Sequence, residues 1–265
     1  MPRPHLRILA LGDLIGTAGR ALVQRQLRPL RKQYGVDLVI ANGENSSGGR
    51  GITVATAEDM LSAGVDVITT GNHVWRGKDI VEALTGRLPI VRPLNYPAGA
   101  PGRGWLTTQV GDTRVTVVNA IGRVFLEPLD DPFAAVARLL DTQASSLGVV
   151  IVDFHAEATS EKRALGWYLD GRVAAVVGTH THVPTADAQV LPKGTAYVTD
   201  LGMCGPRHSV IGMAVGPSVE RFVTGRPTRY EVADGGPQDL HGVLIDIDRA
   251  TGRAANIRRI DRADG

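Results

Sequence analysis

The stretch Leu38-Val39-Ile40-Ala41-Asn42-Gly43-Glu44-Asn45 is an apolar run of strand length that gives way to a carboxylate and an amide. That order reads as a buried strand delivering polar side chains at its carboxyl end, where open α/β sheets hold their ligands. The same order recurs along the chain. Ile8 to Leu11 precedes Asp13, Val65 to Thr70 precedes Asn72 and His73, Val149 to Val152 precedes His155, and Ala174 to Val177 precedes His180 and His182. The recurrence suggests a metal site assembled from strand ends.

Outward from these runs, short β-branched segments alternate with polar, helix-like ones, the pattern of βαβ crossovers and a largely parallel sheet. Ala21, Leu22, Gln26 and Leu30 fall at mixed three and four spacing and predict an amphipathic helix over Ala18 to Gln33, with Pro29 as its kink or end. Thr53 opens a second helix that Gly64 stops, and a shorter third is expected to start around Lys78. Arg92 to Arg103 holds too many Pro and Gly for a regular element and reads as a long loop. Trp105 to Val110 and Arg114 to Asn119 flank Gly111-Asp112-Thr113 as a hairpin, so a mixed sheet is expected and a second sheet begins. Near the end, Val243 to Asp248 and Ala255 to Ile260 flank another turn, as strands that either join the first sheet's edge or build a further layer. No low-complexity linker divides the chain, so one α/β domain spanning 1–265 is expected.

Composition excludes several classes. The 29 basic and 27 acidic residues are scattered and sum to a formal charge of +2, without the concentrated basic footprint of a dedicated nucleic-acid binder. No apolar stretch approaches the roughly 20 residues needed to span a bilayer. Met1 to His5 leads straight toward a strand without a signal-peptide core, so a cytoplasmic protein with no membrane partner is expected. A lone cysteine, Cys204, allows no intramolecular disulfide and no cysteine-based zinc site, so any metal falls to His, Asp, Glu and Asn. A homo-oligomer is compatible with all of this.

Two ions about 4 Å apart need a carboxylate to bridge them, terminal donors on each side, and an open edge for solvent and phosphate. Asp13 and Glu44 offer carboxylates, Asn45 and Asn72 neutral oxygens, and His155, His180 and His182 imidazoles. Two divalent ions outweigh two carboxylates, so the centre stays positive and attracts a phosphate ester. His180-Thr181-His182 points both rings one way on an extended segment, or splays them toward two metals on a tight loop. Singly, each position has a plainer explanation: Asp13 as a helix cap, Asn72 as a turn residue, the Gly43 to Gly51 loop as a phosphate-cradling nest. A P-loop is excluded, since no Lys-Ser or Lys-Thr closes that stretch. The set as a whole carries the inference.

Gly12-Asp13, Gly43-Glu44-Asn45, Gly71-Asn72-His73, His155 and Gly178-Thr179-His180-Thr181-His182 resemble the ordered blocks of the calcineurin-like metallophosphoesterases. Through Ala41 to Asn45, Asp153 to Lys162, Gly166 to Arg172 and Leu191 to Tyr197, nearly the whole chain is similar to the YmdB-like bacterial branch of that superfamily. The resemblance implies a metallophosphoesterase-type sandwich of two mixed β-sheets flanked by helices, and hydrolysis of small phosphodiesters, 2′,3′-cyclic nucleotides above all. Most of the superfamily carries Asp-x-His where this chain has Asp13-Leu14-Ile15, and a bridging Asp where it has Glu44; the YmdB-like branch shares both changes. Position by position, the resemblance implies Asp13, Glu44, Asn45 and His182 at one metal and Glu44, Asn72, His155 and His180 at the other. His73 is implied as proton donor to the leaving ribose oxygen, after attack on phosphorus by a hydroxide bridging the ions. The cofactors expected are two metal ions per chain, iron (Fe2+/Fe3+) first, with Mn2+ or Zn2+ as alternatives.

Around these positions, Asp200 is a candidate to orient a ligand histidine, and Arg50 and Arg76 flank ligand loops as candidate phosphate contacts. Glu157 and Glu161 read as caps of a helix from Ala158 to Leu169, and Cys204 is assigned no catalytic role. Two other functions compete. One is a nuclease using the same centre on RNA or DNA, which the balanced charge argues against. The other is a regulatory protein with a vestigial phosphatase site, which the complete ligand set argues against.

Overall fold

Runs such as Ile8-Leu9-Ala10-Leu11 are apolar at every position because both faces of their strand are covered, and successive side chains enter different cores. Ile8 and Ala10 join a core with Ile40, Val117, Ile151 and Val177, all from strands. Leu9 and Leu11 join another with Leu22, Leu27 and Met60, all from helices. The computed structural model describes residues 3–77 and 79–264 of the chain.

In chain order the strands are β1 (His5–Leu14), β2 (Leu38–Asn42), β3 (Val67–Thr69), β4 (Trp105–Val110), β5 (Thr113–Ile121) and β6 (Val149–His155). They continue with β7 (Ala175–Thr179), β8 (Gln189–Val190), β9 (Ala196–Val198), β10 (Met203–Pro206), β11 (Gln238–Asp248) and β12 (Ala254–Asp264). The helices are α1 (Gly16–Tyr34), α2 (Val54–Ala63), α3 (Ile80–Thr85), α4 (Pro132–Thr142), α5 (Ala144–Leu147), α6 (Thr159–Tyr168) and α7 (Val215–Thr224).

The strands form two six-stranded sheets, ordered β12-β11-β10-β1-β2-β3 and β4-β5-β6-β7-β9-β8. Both are mixed. In the first, β1 runs parallel to β2 and β10 and antiparallel to β11; in the second, β5, β6, β7 and β9 are parallel, with β4 and β8 antiparallel at the edges. A core of strand residues fills the space between the sheets, while α1 and α2 cover the first sheet and α4 and α6 the second. The expected sandwich of two mixed sheets flanked by helices is therefore the one observed. Because β1, β2, β3, β6 and β7 are the strands that precede the polar donors, the layering brings both sets of carboxyl ends to one edge.

Local expectations fare unevenly. Thr53 caps α2 with reciprocal bonds to Thr56, and Gly64 ends it in the left-handed conformation at φ 113°. The hairpin forms as expected, with Trp105 opposite Val118 and Val110 opposite Thr113, and Arg92 to Arg103 is a loop. The late strands extend the first sheet at one end, β11 against β1 and β10 and β12 outermost on β11. Pro29 neither ends nor bounds α1, which continues to Tyr34 and stops at Gly35. Arg25 and Pro29 both lie on the exposed face, where water satisfies the carbonyl that proline cannot serve. The expected third helix start, Lys78, lies outside the described residues; the helix is described from Ile80.

Candidate metal centre

Asp13 emerges from β1, Glu44 and Asn45 from the turn after β2, and Asn72 and His73 from the turn after β3. The second sheet supplies His155 as the last residue of β6, and His180 and His182 from the loop after β7. The structure thus gathers every predicted donor at one edge between the sheets. His155 Nε2 lies 2.9 Å from Asn72 Oδ1, 3.0 Å from His180 Nδ1 and 3.1 Å from Glu44 Oε1. Beside this cluster, His182 Nε2 lies 3.2 Å from Asn45 Nδ2 and 3.7 Å from Asp13 Oδ1. Asn45 Nδ2 donates to Glu44 Oε1 at 3.5 Å, which places Glu44 between the two groups.

Close approach requires room. A Cβ on Gly71 would fall 2.2 Å from His155 Cδ2, so only glycine lets the turn after β3 close against that ring. His180 and His182 sit at φ 99° and 66°, left-handed values uncommon for residues with a side chain. The loop is therefore tight, and its two rings splay: His180 toward His155 and His182 toward Asn45 and Asp13.

A buried network holds that strain. Lys162 Nζ donates to Asp200 Oδ2 at 2.6 Å and to the Thr179 carbonyl at 2.7 Å. Asp200 Oδ2 also accepts from the Thr181 amide and hydroxyl, at 3.2 and 2.8 Å. Asp200 thus touches no imidazole, contrary to its expected role: it sits opposite the middle of the His-Thr-His loop and fixes the loop backbone. A further relay was not visible in the residue spacing. Thr179 Oγ1 donates to Asp153 Oδ1 at 2.7 Å and so accepts from His155 Nδ1, 3.0 Å away. Asp153 accepts a second hydroxyl from Thr69. With Nδ1 so occupied, His155 presents Nε2 to the other donors. Asp153, Thr179 and Asn42 all lie in the stretches that carry the family resemblance, which is the one sequence signal pointing to them.

Electrostatics favour a cation here. Burial opposes ionisation of Glu44, yet the charge and hydrogen bond of His155 and the contacts of His73 hold its carboxyl down at about 2. Burial also opposes protonation of His155, yet Glu44 and Asp13 push it up to about 9, so positive charge is stabilised at Nε2. Burial and the neighbouring His155 push His180 down to about 3, leaving a neutral imidazole. Burial pushes Asp13 up, and its Oδ1 is buried with no hydrogen-bond partner among the described residues. Burial lowers His73, against the pull of Glu44. An orphaned carboxylate oxygen, facing imidazole nitrogens and an ionised carboxylate are a donor set that fits metal ions. Glu44, His155 and His180 by themselves have ligand atoms within 4.8 Å of one another.

A cavity of about 250 Å³ opens over the donors, lined by Glu44, Asn45, His73, His180 and His182 and also by Arg50, Ile211, Met213 and Tyr230. Arg50 therefore reaches the site, whereas Arg76 is exposed on the 3₁₀ turn Val74–Arg76. The cap assignments for Glu157 and Glu161 are corrected. Glu161 accepts the amides of Arg123 and Val124 in a neighbouring loop, and Glu157 lies on the cavity with Oε2 2.9 Å from His180 Nε2. Ile15, where the superfamily has histidine, is fully buried against Gly205 and Gly212 and supplies no donor. Cys204 is buried and free, its thiol pushed up to about 12 by burial. Among the described residues no helix is long and apolar enough to cross a membrane.

Two back-to-back mixed sheets with oxygen and imidazole donors converging at one edge define a metallophosphoesterase. Within that class the chain belongs to the YmdB-like protein family, whose profile matches residues 9–260. It is 46% identical over 255 residues to a 2′,3′-cyclic-nucleotide 2′-phosphodiesterase of Bacillus subtilis (strain 168), covering 96% of each chain. A solved structure of a hypothetical protein from Thermus thermophilus superposes with a TM-score of 0.92 at 44% identity, covering 98% of this chain and 100% of that one. The structure of a novel phosphatase from Mycoplasma pneumoniae also gives 0.92, at 36% identity and with 98% and 94% covered.

Proposed function

We propose that this protein is a metal-dependent phosphodiesterase that hydrolyses small phosphodiesters, foremost 2′,3′-cyclic nucleotides. The observation that carries the reading is that Asn72 Oδ1, His180 Nδ1 and Glu44 Oε1 each lie 2.9 to 3.1 Å from His155 Nε2, with His182 and Asp13, whose Oδ1 has no hydrogen-bond partner among the described residues, alongside. Similarity to the Bacillus phosphodiesterase supports the substrate class. The cavity, near the lower end of the roughly 300–1,000 Å³ of ligand clefts, suits a mononucleotide better than a folded nucleic acid.

In this reading Asp13, Glu44, Asn45 and His182 would hold one ion and Glu44, Asn72, His155 and His180 the other. Iron is the first choice and manganese or zinc the alternatives, since carboxylate, amide and imidazole donors suit all three. Two such ions, when bound, supply an ionised solvent nucleophile and neutralise the charge developing on the phosphate. The chain supplies the proton. His73 lines the cavity, its amide donates to Glu44 Oε2 at 3.0 Å, and its Nδ1 is engaged by Asn45 Oδ1 at 2.7 Å. With Nδ1–H held by Asn45, the imidazolium form of His73, which Glu44 favours against burial, would give its Nε2 proton to the departing ribose oxygen as the phosphorus–oxygen bond breaks and be left neutral.

Elemental analysis of the purified protein, with turnover of a bis-aryl phosphate, an aryl monophosphate and 2′,3′-cyclic AMP, tests the reading. Two metals per chain and a preference for both diesters are expected; a monoester preference without cyclic-nucleotide hydrolysis overturns it. His73→Ala is expected to keep its metals and to lose about 10²–10⁴-fold on cyclic AMP, with a much smaller loss on the activated aryl ester. Equal losses on both substrates contradict the acid role.

A further inference from the structure

The cavity is lined by two unlike sets of residues, the donors and the group Arg50, Ile211, Met213 and Tyr230. Three of those four come from the segment between β10 and β11, which also reaches the centre itself. Ile211 is held at φ 49°, a conformation that a β-branched residue adopts only at a cost in strain. Its carbonyl accepts from His182 Nδ1 at 2.8 Å while its half-exposed side chain lines the cavity. The loop carrying Arg50 is pressed against the same segment: a Cβ on Gly49 would fall 2.5 Å from Val232 Cγ2 and 3.1 Å from Met213 Cε. The Arg50 guanidinium carbon lies 4.3 Å from the centre of the Tyr230 ring, whose hydroxyl is engaged by Arg221. Tyr230 nevertheless remains 44% exposed. Stacked on one another, with the Arg221 guanidinium carbon also 5.0 Å from the ring centre, the guanidinium and the phenol present a π surface to the cavity.

We propose that Arg50, Ile211, Met213 and Tyr230 form a nucleobase-binding subsite in which the base stacks on the Arg50–Tyr230 pair; this rests on the cyclic-nucleotide reading above. Bases stack on aromatic rings and on guanidinium planes, and every base has a π face to offer. Stacking tolerates base identity, so the subsite accepts all four bases and favours purines through their larger stacking area.

Steady-state kinetics of the metal-loaded enzyme on 2′,3′-cyclic AMP and on glycerol 1,2-cyclic phosphate, a cyclic diester without a base, test this. Tyr230→Ala is expected to lose about tenfold more in kcat/KM on cyclic AMP than on the glycerol ester, mainly through KM, as loss of one base–aromatic stack requires. Tyr230→Phe, which keeps the ring, restores the selectivity. Equal losses on the two substrates, or no loss on cyclic AMP, overturn the subsite and leave the phosphodiesterase reading standing. A wild-type enzyme that hydrolyses the glycerol ester but no cyclic nucleotide overturns the substrate reading, and the subsite with it.

Discussion

The donors that reach the centre from the first sheet, Asp13, Glu44, Asn45 and Asn72, are carboxylates and amides, whereas those from the second, His155, His180 and His182, are all imidazoles. The two halves are also supported differently. His155 leans on Thr179 and Asp153, and the His180 loop on Asp200 and Lys162, so the imidazole half is locked by protein hydrogen bonds. On the oxygen half, Asp13 Oδ1 has no partner among the described residues, and Glu44 relies on His155 and the His73 amide. One half is preformed and the other leaves a buried carboxylate oxygen, Asp13 Oδ1, without a hydrogen-bond partner among the described residues. This difference implies that the metals complete the first sheet's half more than the second's.

The largest effect is expected on the residue between the halves. Glu44→Gln keeps the shape but halves the anionic charge of the donor set; turnover should fall by more than the roughly 10- to 100-fold that loss of a ligand's supporting partner costs. Metal content should fall with it, and a fully metallated, fully active variant would break the comparison at its centre. Next comes Asp200→Asn, which leaves Lys162 buried and unpaired. A stability loss of about 3–5 kcal/mol is expected by denaturant titration, with metal affinity down about 10- to 100-fold. Adding Lys162→Met should recover much of the stability but not the affinity, because the Thr181 contacts stay lost.

Asp13→Asn sharpens the contrast with the opposite sign. Removing a buried carboxylate charge with one unsatisfied oxygen should raise the stability of the metal-free protein by about 1–3 kcal/mol, or roughly 2–10 °C in Tm for a chain of this size, while metal binding weakens. Burial raises the Asp13 pKa in the fold, so its ionisation penalises folding above the unfolded value and the penalty fades as pH falls. The gap in Tm between variant and wild type should therefore narrow toward acid pH. The smallest expected effect is none at all. Cys204 lies opposite Leu14 across the β1–β10 pairing, with its thiol held up at about 12. Iodoacetamide at pH 8 should leave it unmodified even after chelation, and rapid labelling on metal removal would show that the first sheet's edge opens rather than staying folded around its charge.

The same contrast explains what could be read from the residues. Strand-end donors are legible because a doubly covered strand is uniformly apolar, so Glu44 and Asn45 stand out just past Leu38 to Ala41. The layering was legible from the alternation of such runs, and the hairpin from its turn. The partners of these groups were not legible. Asp200 is visibly a strand-end carboxylate, but nothing nearby in sequence says that it answers Lys162 and Thr181 instead of an imidazole. Glu157 looked like a helix cap because it precedes α6, whereas the turn carries it to His180. The wall formed by Ile211, Met213 and Tyr230 belongs to a segment whose helix, α7, buries little more than Ser218. Without a strong core pattern, its approach to the site left no periodic trace. Pro29 misled because its cost depends on which face of the helix it occupies.

The most direct measurement is a crystal structure of the metal-loaded protein with anomalous difference maps at the metal absorption edge. Two peaks about 4 Å apart are expected, one among Glu44, Asn72, His155 and His180 and the other among Asp13, Glu44, Asn45 and His182. A single peak, or peaks that leave Asp13 and Glu44 without a metal, would contradict a centre shared between the two sheets.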